Sequence, residues 1–403
     1  MQTNWVIVGH GMATQRLLQA LVQRGTGTAS ITVIGDEPGP AYNRILLSSL
    51  LAGEITEAEL PLATADWYSR HGIECLSGDP VVEIDRQRQQ VRTLQGRCLA
   101  YDRLVLATGS RPARPSIPGM DLPGVFDFRT LKDTRALLER AQSARSAIVI
   151  GGGFLGLEAA EGLRCQGVEV TLLHRNRHLL NRQLDPTAGA LLTKRLRQRG
   201  LNIHLNADPT SLFGDERVQG VRLIDGTERV ADLIVVATGI RPNIELAAAA
   251  GLDCDRAIRV DAGLRTSDPA IHALGECCQF NNHTYGLVEP IYRQAEVLAA
   301  ILCGESAHYQ EAPVATRLKI SGIELFSCGR INPGPATESL IYEDREAGEY
   351  RHLLLQAHRL VGAVLYGDAR HGPWYYEQIQ RAADLSLWRA QLVFGPAFCE
   401  AAA

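Results

Sequence analysis

Along most of this chain, short and nearly unbroken apolar runs alternate with longer segments whose apolar residues recur every three or four positions. The runs Trp5-Val-Ile-Val8, Ile31-Thr-Val-Ile34, Ala147-Ile-Val-Ile150 and Val170-Thr-Leu-Leu173 lack the polar alternation of a half-exposed strand. They read as strands buried on both faces of a parallel sheet. Residues 15–23 and 157–164 carry the helical period directly after the first and third runs, and residues 292–302 carry it again. Two further runs, Arg103-Leu-Val-Leu106 and Leu233-Ile-Val-Val236, each lead into Ala-Thr-Gly. From about residue 314 the period falls to two in Thr316-Arg-Leu-Lys-Ile320, Leu340-Ile-Tyr342, His352-Leu-Leu-Leu355 and Leu360-Val-Gly-Ala-Val-Leu365. That pattern predicts a compact sheet, closed by helical stretches at 374–381 and 387–392.

Glycines occupy the two strand-to-helix junctions. The first reads Gly9-His-Gly-Met-Ala-Thr14 and the second Gly151-Gly-Gly-Phe-Leu-Gly156. Glycine permits the sharp turn and lets main-chain N–H groups approach a pyrophosphate at the helix N-terminus. One such loop is a weak signal. Here loop, second strand and Ala-Thr-Gly strand recur in the same order, which marks an internal duplication. Two dinucleotides on one chain are most economically a flavin and a nicotinamide. The predicted fold class is therefore α/β, with two Rossmann-like dinucleotide-binding domains and a small α+β C-terminal domain. Residues 1–112 and 243–313 form a discontinuous FAD domain, 113–242 an inserted NAD(P)H domain, and 314–403 the tail, which covers the flavin or forms a homodimer face. The joints are the proline-rich stretch Arg111-Pro-Ala-Arg-Pro-Ser-Ile-Pro118 and Arg241-Pro-Asn243.

Composition narrows the class. The 403 residues are 45% hydrophobic and 21% charged, ample for two or three cored domains. A formal net charge of −4 without a basic stripe argues against nucleic acid as a partner. No apolar stretch reaches the length of a membrane span, and the N-terminus enters the first strand without a charged leader, so the expected address is cytoplasmic. The nine cysteines form no Cys-x-x-Cys or Cys-x4-Cys spacing, which excludes a zinc ribbon, an iron–sulfur loop and a disulfide-reductase motif. The adjacent Cys277 and Cys278 read as core thiols, with a vicinal redox pair as the alternative. The eleven histidines show no ligand spacing, so no metal is expected.

Several segments resemble one family. Val6-Ile-Val-Gly-His-Gly-Met-Ala13, Ala41-Tyr-Asn-Arg-Ile-Leu-Leu-Ser48, Leu274-Gly-Glu-Cys277 and Gly286-Leu-Val-Glu-Pro-Ile-Tyr-Arg-Gln-Ala-Glu-Val-Leu-Ala299 are similar to the FAD-containing N-terminal part of NAD(P)H-dependent assimilatory nitrite reductase large subunits. So are Leu318-Lys-Ile-Ser-Gly-Ile-Glu-Leu-Phe-Ser327 and Leu360-Val-Gly-Ala-Val-Leu-Tyr-Gly-Asp368. Rubredoxin and ferredoxin reductases resemble the chain more distantly. The resemblance implies a flavin reductase passing electrons from NADH or NADPH to an iron–sulfur or haem partner, as an electron-transfer subunit of nitrate or nitrite reduction. The family's cysteine-rich iron–sulfur module and sirohaem domain have no counterpart in this sequence. A rubredoxin or ferredoxin reductase for a monooxygenase is the enzymatic alternative, and a non-catalytic flavin redox sensor the non-enzymatic one. A peroxidase or oxidase is disfavoured, since residues 41–49 lack the redox cysteine of such relatives.

Gly9, Gly11 and the amides of Met12 and Ala13 are expected at the FAD pyrophosphate, and Asp36 or Glu37 at the adenosine ribose unless they form a solvated acidic turn. Thr14 stands where a third glycine is usual, so helix and strand should pack further apart there. The resemblance puts Arg44, Val81, Ala107, Thr108, Gly109, Arg129, Gly275 and Glu276 along the flavin, with Arg129 otherwise a helix-start charge. A lysine common in relatives near Ser48 or Ser49 is absent. For the nicotinamide nucleotide, Gly151, Gly153, Leu155 and Gly156 form the loop and Gly239 closes it. Glu158 is expected at the carboxamide, or else is a first-turn helix acid. At the end of the second strand, where Asp or Glu would repel a 2′-phosphate, stands His174-Arg175; Arg175 with Arg182 favours NADPH, whereas His174 is common in the nitrite reductase family and leaves NADH open. Hydride transfer by the cofactors needs no catalytic acid or base from the chain.

Overall fold

The computed structural model describes residues 3–320 and 322–400. Ser321, within the 318–327 motif, and residues 401–403 lie outside the described residues. By their contacts the residues fall into two compact units: the chain up to Leu47 with Ile55–Ala113 and Ile240–Glu311, and Ser48–Glu54 with Arg114–Gly239 and the chain from Ala312 onward.

The first unit is built on a five-stranded sheet in the order Ile271–Ala273, Arg103–Leu106, Asn4–Val8, Ser30–Gly35, Ile73–Ser77. Every pairing is parallel, as the unbroken apolar runs require. Alternate residues serve opposite faces. Ile7, Val33 and Val105 join one buried cluster with Leu17 and Leu21 of the helix Met12–Arg24 and Leu298 of the helix Val288–Leu302. Val6, Val8, Ile34, Leu104 and Leu106 join another with Ile84 and Val91 of a three-stranded antiparallel sheet. Ser110–Pro112 and Ile240–Pro242 pair antiparallel, with Arg111 opposite Arg241.

In the second unit the same plan recurs. Its parallel order is Asn202–Leu205, Glu169–His174, Ser146–Ile150, Leu233–Val236, Val125–Asp127. The alternating tail folds into a five-stranded antiparallel sheet, from Ala315–Ile320 through Ile323–Gly329, Arg359–Gly367 and Glu349–Gln356 to Glu338–Asp344. The helix Gly372–Arg381 follows. The expected helix at 387–392 is instead two 3-10 turns, Ser386–Trp388 and Leu392–Phe394. The turns put Leu392 in the core of the tail, with Trp388 and Val393 packed against it, and leave Leu387 89% exposed. Gly395, at φ +99°, ends the second turn.

Candidate functional sites in the two units

Each glycine loop leaves the central strand of its parallel sheet, where the strand order reverses and such folds bind ligands. Gly9 donates its N–H to Ile34 O at 2.7 Å, and Gly151 donates to Leu173 O at 2.8 Å. Both have positive φ, +109° and +124°. A Cβ at Gly9 would stand 2.1 Å from Ala107 O, and one at Gly151 2.2 Å from Ala237 O. The two Ala-Thr-Gly strands thus press the same atom against the same glycine, and no side chain fits.

The second glycines behave in the opposite way. A Cβ on Gly11 or Gly153 would meet nothing within 4 Å. Glycine there is demanded by nothing in the protein itself, which is what a bound pyrophosphate over each helix N-terminus would explain, with the first-turn N–H groups as donors. At the third position the loops diverge. A Cβ on Gly156 would lie 1.9 Å from Gly151 O. Thr14 fills the matching place, fully buried, and donates its hydroxyl to Gly9 O at 2.5 Å. The first loop is spaced to admit a side chain and is tied across by it.

Around the first loop, Glu37 accepts from Tyr42 Oη at 2.8 Å and forms an ion pair with Arg44, whose guanidinium also lies 5.5 Å from the Tyr42 ring centroid. Asp36 turns one carboxylate oxygen to the Glu37 amide at 3.0 Å. Thr108 and Asn243 are locked together: Thr108 Oγ1 donates to Asn243 O at 2.9 Å, and Asn243 Nδ2 donates to Thr108 O at 2.8 Å. Gly275 has φ +89°, a Cβ added to it would stand 3.4 Å from the Ala13 side chain, and its amide donates to Gln294 Oε1 at 2.9 Å. Glu276 accepts from Ser110 Oγ at 2.8 Å. Gly109 closes its strand at φ +65°, and Val81 opens the strand Val81–Asp85.

Arg129 belongs to the second unit, at the capping box of the helix Leu131–Ala141, where its N–H donates to Asp133 Oδ2 at 3.1 Å. Leu155 lies in the first turn of the helix Phe154–Cys165, and Gly239 has φ +128°. Glu158, on that same helix, is only partly exposed, and burial pushes its carboxyl up to about 7. His174 is 7% exposed, and its Nδ1 accepts the Gly152 N–H at 3.1 Å, so it supports the loop from beneath. Burial lowers its pKa. Arg175 and Arg182 are exposed.

Tyr42, Ser110, Asn243 and Gln294 escaped the sequence reading. Asn243 ends the Arg241-Pro joint and Gln294 lies within the Gly286–Ala299 segment, but the sequence gives neither its partner; that of Gln294 lies nineteen residues away. Cys277 and Cys278 are fully buried with their thiols directed at the Leu106, Leu274 and Gly275 carbonyls, and burial raises both thiol pKa values. Among the described residues no group of three or more His, Cys, Asp or Glu could hold a metal, and no helix is long and apolar enough to cross a membrane.

Two glycine loops at two sheet switch points, each with space above a helix N-terminus, define a dinucleotide-dependent oxidoreductase. Residues 3–307 match the pyridine nucleotide-disulphide oxidoreductase family, and residues 313–383 match the rubredoxin NAD+ reductase C-terminal domain. The chain belongs to the pyridine nucleotide-disulphide oxidoreductase family, whose members imply FAD and a nicotinamide cofactor.

An assimilatory nitrate reductase electron transfer subunit of Bacillus subtilis (strain 168) is 41% identical over 389 residues, covering 96% of this chain and 50% of that protein. A nitrite reductase [NAD(P)H] of the same organism is 41% identical over 382 residues, 94% of this chain and 48% of that protein. The chain thus spans about half the length of these curated relatives. Rhodocoxin reductase of Rhodococcus erythropolis is 36% identical over 316 residues, 76% of this chain and 74% of that protein. Among solved structures, the covalent putidaredoxin reductase–putidaredoxin complex matches with a TM-score of 0.85 at 30% identity, over 95% of this chain and 94% of that one. The resemblance to nitrite reductases, with ferredoxin reductases further off, and the α/β fold class are both borne out.

Proposed function

We propose that the chain is an FAD-dependent NAD(P)H reductase that delivers electrons to a nitrate- or nitrite-reducing partner. The observation that carries this reading is the 41% identity over 389 residues to a protein named as a nitrate reductase electron transfer subunit. When bound together, the two cofactors would supply hydride transfer from nicotinamide C4 to flavin N5 and release of single electrons to the partner.

The chain's part is to hold and orient. Met12 and Ala13 amides would bind the FAD pyrophosphate, Glu37 with Arg44 the adenosine end, and the Thr108–Asn243 and Ser110–Glu276 pairs would fix the backbone beside the flavin. In the second unit Gly153 and the Leu155 turn would take the nicotinamide nucleotide, Arg175 and Arg182 its adenosine end, and Glu158 its carboxamide. The domain assignment follows: FAD on residues 1–112 and 243–313, nicotinamide on 113–242, and the tail 314–403 at a protein interface. A rubredoxin- or ferredoxin-type acceptor is the second reading, favoured by the C-terminal match at residues 313–383.

Anaerobic mixing with NADH and NADPH in parallel, followed by flavin absorbance, tests the reading. Rapid bleaching by either nucleotide is the expected outcome; a bound flavin that neither reduces would sink it.

Glu158 supplies a sharper expectation. With its carboxyl at about 7, it is neutral in mild acid and charged above neutrality. A charged carboxylate is the better acceptor for a carboxamide N–H, so KM for the nucleotide should fall as pH rises from about 6 to 8. Glu158→Gln should flatten that dependence in a ferricyanide assay. An unchanged pH profile in the variant removes Glu158 from the nucleotide site.

A further inference from the structure

The second unit holds an open groove of about 960 Å³ that none of the glycine-loop residues lines. Arg177, His178 and Asn181 form one wall, from the loop after the strand Glu169–His174. Thr193, Lys194 and Arg197 form the other, from the helix Pro186–Gln198. No carboxylate lines it. We propose that this groove is a binding site for a phosphate-bearing anion, held chiefly by Arg177 and Lys194.

Three observations carry the proposal. Arg177 and Lys194 are exposed, and neither has an ion-pair partner among the described residues. Arg197 already donates to Ile203 O at 2.7 Å, a use that suits a basic residue in the last turn of a helix. That explanation does not extend to Arg177, which lies on the loop. Second, the charge is concentrated here against the trend of the whole molecule. The chain carries a formal −4, yet residues 170–207 hold seven Arg or Lys and one carboxylate, Asp185. Asp185 is 3% exposed and committed to Tyr350, His352 and the Ala188 amide, so it neutralises nothing in the groove. A solvated helix face would intersperse both signs.

Third, the walls offer hydrogen bonding of the right kind. Gly189 lets the His178 ring pack against the helix, since a Cβ there would stand 2.7 Å from Nδ1, and Nδ1 is within 3.1 Å of Leu179 O. Guanidinium, ammonium and imidazole groups around one opening match a phosphomonoester or diphosphate. Arg175 and Arg182, the arginines suggested by sequence spacing, do not line the groove. The phosphate could come from the 2′-position of a nicotinamide nucleotide or from a free phosphorylated molecule.

Titration calorimetry on the flavin-loaded protein decides, with adenosine 2′,5′-bisphosphate and inorganic pyrophosphate as probes. The expected result is binding by the parent and a rise in Kd of at least about tenfold in R177E/K194E. Loss confined to the bisphosphate assigns the groove to the donor's 2′-phosphate; loss confined to pyrophosphate assigns it to a free effector; loss of both marks one shared anion site. Both substitutions are at exposed positions, and a circular dichroism melt checks the fold; R177Q/K194Q serves if the charge reversal does not fold. No binding by the parent, or a folded variant that binds both probes like the parent, overturns the proposal.

Discussion

Gly11→Val yields a first unit that folds but does not keep its flavin, whereas Gly9→Ala does not yield a stable first unit at all. The two glycines are two residues apart and look alike in the sequence, yet their surroundings are opposite. A Cβ at Gly9 would sit 2.1 Å from Ala107 O, against main chain that cannot step aside, at φ +109°. Relieving that overlap means breaking the register between Asn4–Val8 and Arg103–Leu106, at a cost of about 3 kcal/mol or more. At Gly11 the backbone is extended, with φ −109° and ψ −166°, and nothing lies within 4 Å. Valine there should change stability by no more than about 1 kcal/mol, mostly through the weaker N-cap. Its side chain would stand where the pyrophosphate is expected. Urea unfolding and the ratio of flavin to protein absorbance separate the outcomes. A Gly11→Val protein with full flavin content would falsify the pyrophosphate placement.

Asp185→Ala should destabilise the second unit by about 3–5 kcal/mol. The carboxylate caps the helix Pro186–Gln198 through the Ala188 N–H at 2.8 Å, and accepts from Tyr350 Oη at 2.8 Å and His352 Nδ1 at 2.6 Å. Three buried donors lose their acceptor at once. Burial alone would push the Asp185 carboxyl up; His352, the Ala188 amide and Tyr350 more than offset it, and its pKa lies below the ordinary 3.8. The sign follows from that depression. The charged carboxylate contributes its stability above the unfolded value of about 3.8, and loses it as pH falls through the lower folded value. The gap between parent and Asp185→Ala in thermal unfolding should therefore be wide at neutral pH and narrow in strong acid. A gap that is constant across that range would mean the residue acts by packing alone.

Much of this was legible beforehand because it is periodic. Short unbroken apolar runs bounded by glycines fit strands covered on both faces, and their repetition with Ala-Thr-Gly marked the end of each half. What sequence could not supply was anything that depends on distant partners. Nothing in the sequence ties Asp185 to Tyr350 and His352, which the strand Glu349–Gln356 brings to it. His174 occupies the ribose-acceptor position in the pattern, but its Nδ1 accepts from the Gly152 amide. The whole-chain charge hid the basic groove, since acids elsewhere outnumber the arginines that gather there. The 387–392 segment has helical spacing, yet it reaches the core of the tail through two separate 3-10 turns, a distinction only three-dimensional context draws.

The pairing of Ser110–Pro112 with Ile240–Pro242 has a bearing on how such a protein can change. Pro112 stands directly opposite Ile240, so the chain leaves the first unit and re-enters it at adjacent points. Residues 114–239 form a loop closed at its base, and the parallel sheet of the first unit draws no strand from them. In genetic terms that stretch is a cassette. An exchange of it would have to carry the strand Glu349–Gln356 along, because Asp185 inside the stretch is held by Tyr350 and His352 from outside it.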